Sequence, residues 1–189
     1  YDAAVPAMVI SKSGETALGI VNTCVGIASL LGSALAAVMP PPKNRVRAIC
    51  TALFISMSTE NFLLAFGNGI FLWCVGAVLG WIAIPFMNAN MDVIFRKTIP
   101  EAMQGRIFSC RNTLQFFTIP VGFFLGGLLV DKVFEPFMAK TVNERMHLLF
   151  GTGKGSGSAF LFFCIGIAGV AVCVIFGIIL RKYRWKDGE

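Results

Sequence analysis

Three clusters of polar side chains interrupt otherwise apolar stretches, and chemistry would sit there. Ser58, Thr59, Glu60 and Asn61 fall together in one run, Asn88, Asn90 and Asp92 follow Pro85 in the next, and Arg111, Asn112 and Gln115 occupy a third. Such groups are costly in hydrocarbon unless paired or wetted, so they turn inward. Glu60 lies more than half-way along its run. It reads either as a hydrogen-bonded structural carboxyl near one interface or as part of a proton or substrate path. Asn88 and Asp92 are four residues apart and share a helix face, as do Arg111 and Gln115. Asp92 and Arg111 each lie about a turn inside the same end of their runs, which makes them natural ion-pair partners. Clusters facing each other across several helices line a wet cavity in transporters, and Asp2 is a further candidate member.

Other chemistry is thinly supported. Gly151-Thr-Gly-Lys154-Gly-Ser superficially resembles a phosphate-binding loop, but position 148 is Leu, position 155 is Gly, and no strand precedes it. His147 is the single histidine and lies outside the apolar runs, so no nucleophile–base pair forms. The six cysteines include no CxxC and fit no metal-site spacing; they read as small packing residues. No cofactor, metal or enzymatic activity is implied.

The elements that must position these residues are membrane spans. Apolar residues make up 56% of the 189 and charged ones only 14%, well below the roughly 25% charge of a soluble domain. Residues 16–39, 48–66, 70–95, 107–130 and 159–180 are each long enough to approach or cross about 30 Å of hydrocarbon at 1.5 Å per residue. Residues 1–10 are already apolar, with no charged leader before them, and read as the end of a further span. The chain is therefore expected to lack an N-terminal portion. Pro40, Pro41 and Pro42 stop the first full run, Gly67-Asn-Gly69 marks a tight turn, and Pro120 is expected to kink the fourth. Residues 131–158 form the one sizeable loop. Phe137, Met138, Val142, Met146, Leu149 and Phe150 recur there at near-helical spacing, as in a surface amphipathic helix, and Gly151–Ser158 reads as a flexible stretch.

The charge distribution orients the bundle. The net charge is +6, but the basic residues gather at the ends of apolar runs rather than on one face, which points away from nucleic acid. Segments 40–47, 96–106 and 181–189 hold ten Lys or Arg, among them Lys43, Arg45, Arg47, Arg96, Lys97 and Arg106; the alternating segments 11–15, 67–69 and 131–156 hold five. The richer set is expected to be cytoplasmic, with the C-terminus. Gly76 with Gly80, Gly122 with Gly126, and Gly26 with Ser29 and Ser33 are small-residue pairs that let helices approach closely.

Three strings then carry a resemblance. Ile99-Pro-Glu-Ala-Met-Gln-Gly-Arg106-Ile-Phe-Ser109 resembles the loop between the tenth and eleventh helices of major facilitator superfamily transporters, most closely the macrolide-efflux-like branch. Ile119-Pro-Val-Gly-Phe-Phe-Leu-Gly-Gly-Leu-Leu-Val-Asp131 resembles that branch's eleventh helix, and Ile84-Pro-Phe-Met-Asn88-Ala-Asn90 its tenth. The resemblance implies an all-α C-terminal bundle of that fold, with the end of the seventh helix plus helices eight to twelve. It also implies proton-coupled efflux of drugs or macrolide-like compounds from the cell membrane. The partners it implies are the lipid bilayer, a small-molecule substrate and an N-terminal bundle of the same chain. The sequence departs from the superfamily after Gly32: Lys43, Arg45 and Arg47 follow the prolines, with no Asp among them. The expected roles are cavity lining or proton coupling for Glu60, Asn88, Asn90 and Gln115, and a cytoplasmic gate of Asp92, Arg106 and Arg111. An uptake carrier of the same fold and a non-transporting sensor or assembly subunit are the rival classes.

Overall fold

The computed structural model describes residues 4–67, 69–140, 144–151 and 153–182. Among them every regular element is helical. A short helix α1 (Ala4–Ser13) reverses at Gly14, whose φ of +84° suits a residue without Cβ, into α2 (Glu15–Val38). The three prolines then break the helix. Asn44 restarts it by accepting a hydrogen bond from the Arg47 amide at 3.0 Å, capping α3 (Arg45–Phe66). The next span is broken into α4 (Ile70–Trp81) and α5 (Ile84–Thr98). Pro85 lacks the N–H that would have met the Trp81 carbonyl, so the ladder is interrupted there.

Helix α6 (Glu101–Leu129) runs through Pro120 and continues through a π turn (Val130–Phe134) into α7 (Glu135–Lys140). Residues 131–140, expected as loop, thus prolong the fourth span. Helices α8 (Glu144–Phe150) and α9 (Ser156–Lys182) complete the described residues. Five of these stretches are long and apolar enough to cross a membrane: Glu15–Val38, Arg45–Phe66, Ile70–Thr98, Glu101–Lys140 and Ser156–Leu180. The protein is an all-α membrane helix bundle.

Helix α3 is the hub, packing against α4, α5 and α9, while α2 lies against α4 and α5. The buried apolar core is lopsided. It joins Met8 and Val9 of α1, Val21 of α2, Leu64 of α3, Trp73 of α4 and Phe162 of α9, all near the end of the bundle away from the basic clusters. Phe66, Phe150, Phe160 and Phe163 interlock there with centroids 5.3–6.3 Å apart.

The glycine-rich stretch before α9 is also organised. The Gly155 amide donates to Glu135 Oε1 at 2.8 Å, and Lys12 Nζ donates to the Phe150 carbonyl at 2.9 Å. Of the residues at near-helical spacing, Met138 and Phe150 are buried and Met146 half-buried, Phe137 and Leu149 are exposed, and Val142 lies outside the described residues.

Candidate functional site

The basic end has little apolar core, and polar contacts hold it. Arg111 of α6 reaches back to α5, where its Nη1 donates to Asp92 Oδ1 at 2.8 Å. The guanidinium also lies 5.2 Å from the Phe95 ring centroid, so the aromatic face helps seat the charge. Phe95 meets Phe108 edge-on at 6.0 Å. Below the pair, Gln104 Nε2 donates to the carbonyls of Arg96 and Ile99, both at 3.1 Å. Those carbonyls lie at the C-terminal end of α5, so Gln104 caps it.

Away from this clasp α6 leaves the bundle. It has no buried residue along Glu101–Leu129 and returns only where its π turn and α7 pack on α9. One turn beyond the ion pair, Asn88 on α5 and Gln115 on α6 are both exposed. Asn88 shares the Asp92 face and Gln115 the Arg111 face. The result is a wedge between α5 and α6, shut at the basic end by the ion pair and carrying an amide on each wall.

The remaining expected residues go elsewhere. Asn90 points to the opposite face of α5 and is 4% exposed; its Oδ1 accepts from Arg45 Nη1 at 2.9 Å and its Nδ2 donates to the Phe86 carbonyl at 2.9 Å. Glu60 is buried in the α3–α4 contact, where its Oε1 accepts from the Trp81 indole at 2.8 Å. Gly80 makes room for it, since a Cβ there would lie 2.6–2.8 Å from the Glu60 side chain. Arg106 is exposed and five residues from Arg111, hence on another face of α6. Asp2 lies outside the described residues.

Three residues were not among the expected site residues. Arg45 and Trp81 were hidden because their partners are remote in sequence, 45 and 21 residues away. Asn22 was legible: it sits in an apolar run, four residues before Gly26. In the structure α2 has three faces. Val21, Ala28 and Gly32 are buried; Ile20, Ile27 and Leu31 form an exposed apolar face; Gly19, Asn22, Gly26 and Ser33 lie on a third exposed face, together with Leu30.

Comparison with known proteins adds a distant relationship. The chain is 26% identical over 107 residues to Macrolide efflux protein A of Streptococcus pyogenes, and equally to the protein of that name from its serotype M6 strain ATCC BAA-946 / MGAS10394. The matched stretch is 55% of this chain and 26% of each relative, so the chain spans about a quarter of their length. No family model matches the sequence, and no solved structure matches it.

Proposed function

We propose that this chain forms one bundle of a secondary active transporter that exports drugs or macrolide-like compounds by alternating access, driven by the proton gradient. The observation that carries the proposal is the α5–α6 wedge, pinned by Asp92 and Arg111 at the basic end and polar one turn deeper at Asn88 and Gln115. Alternating access needs a packed end about which helices pivot and a bonded end that can let go. The aromatic core supplies the first and the ion pair the second. Positive charge at the bonded end makes that side cytoplasmic, and the similarity to a macrolide efflux protein supports the direction and the substrate class.

In this reading the polar faces of α2 and α6 look across the substrate path toward an N-terminal bundle of the same chain. Glu60 is the carboxyl for proton coupling. Held by an indole N–H beside the α4–α5 break, it can report its protonation to the bend of that span. The test is flux. Cells expressing the full-length protein should accumulate less radiolabelled macrolide than control cells, and a protonophore should abolish the difference. Higher internal label would make the protein an uptake carrier, and unchanged label would end the transport reading for this substrate class.

A further inference from the structure

The basic end carries a second feature, on the other side of α5 from the wedge. A cavity of about 200 Å³ opens between α2, the proline turn and α5. Ala36, Met39, Phe86 and Val93 give it apolar walls, and Arg45 and Asn90 are its polar groups. Asn90 is engaged at both ends of its amide, accepting from Arg45 and donating to the Phe86 carbonyl. A guanidinium carries five N–H donors, the structure joins Arg45 to Asn90, and among the described residues no carboxylate pairs with it. Lys43 and Arg47, both exposed, flank it two residues away on either side.

A partly buried cation without a counter-ion, set over an apolar cavity at the end of membrane helices, is complementary to an anionic amphiphile. We propose that Arg45 and this cavity bind an anionic phospholipid, its phosphate on the guanidinium and its glycerol and upper acyl carbons against Ala36, Met39 and Phe86. Basic pockets between helices at a membrane face suit such headgroups, and the planar guanidinium matches two phosphate oxygens at once. The site is independent of the transport reading, since it needs only that the basic end meets a headgroup layer.

The experiment is native mass spectrometry of the full chain extracted from vesicles of phosphatidylcholine containing a minority of phosphatidylglycerol. The wild type should retain phosphatidylglycerol in preference to phosphatidylcholine. Arg45→Gln should lower that retention roughly fivefold, as expected for one basic contact at a lipid surface. Ala36→Trp, which fills the cavity and leaves Arg45 in place, should lower it similarly, and Arg96→Gln, at the same end but away from the cavity, should not. Retention unchanged in both Arg45→Gln and Ala36→Trp would overturn the proposal. So would an equal loss in Arg96→Gln, which would mean diffuse attraction, or full displacement by inorganic phosphate, which would mean an anion site with no use for a lipid tail.

Discussion

At the scale of the residue, the Asp92–Arg111 pair separates function from stability. The Asp92 side chain is 44% exposed and that of Arg111 25%. A pair this open contributes at most about 1 kcal/mol to stability, so a double-mutant cycle on thermal unfolding should return little. If the chain belongs to a macrolide exporter as proposed, transport should respond far more. Asp92→Asn should depress macrolide efflux by about tenfold or more, with membrane insertion unchanged, and exchanging the two charges should restore part of it. Wild-type efflux from Asp92→Asn would remove the pair from the mechanism. Lys12 offers a pH test at the opposite end. Burial lowers its pKa below the usual 10.5, and the nearby Glu135 carboxylate offsets part of that. The unfolded chain then binds more protons than the folded one in a window just below pH 10.5, so stability from this group rises with pH through that window. Lys12→Met should remove that portion of the slope in melting temperature measured from neutral pH to about pH 10.5.

Among the elements, the broken span α4–α5 is held from two sides. Gly32 of α2 sits against the Ile82 carbonyl, and a Cβ there would run into that backbone oxygen. Backbone cannot rotate aside as a side chain can, so Gly32→Ala should cost about 1–3 kcal/mol, read as a fall in melting temperature in detergent. Gly26→Ala, with nothing within 4 Å of the added methyl, should leave it nearly unchanged. From the other side Trp81 donates to Glu60. Trp81→Phe keeps most of the ring but removes the donor, and should cost about 1–3 kcal/mol because the carboxyl stays buried.

For the whole molecule, the prediction is motion confined to the basic end. Spin labels at Asn88→Cys and Gln115→Cys, in a background without the native cysteines, should give two distance populations whose ratio shifts with pH or substrate. Labels across the aromatic cluster should give one. A single invariant distance at the wedge would show α5 and α6 to be a fixed pair.

Much of this was legible before the fold. A run of apolar residues about as long as the bilayer is thick has one stable fate, so the spans follow from local composition. Four-residue spacing puts Asn88 with Asp92 and Arg111 with Gln115 by helix geometry alone, and two opposite charges at equal depth on consecutive helices find each other. What the sequence could not decide is which polar groups share a space. Asn90 turns to Arg45 and Glu60 to Trp81 because helix rotation and pairing are set by contacts between residues distant in the chain. The same holds for the splay of α6: its composition makes it a span, but only the packing of its neighbours decides whether it has a partner along its length.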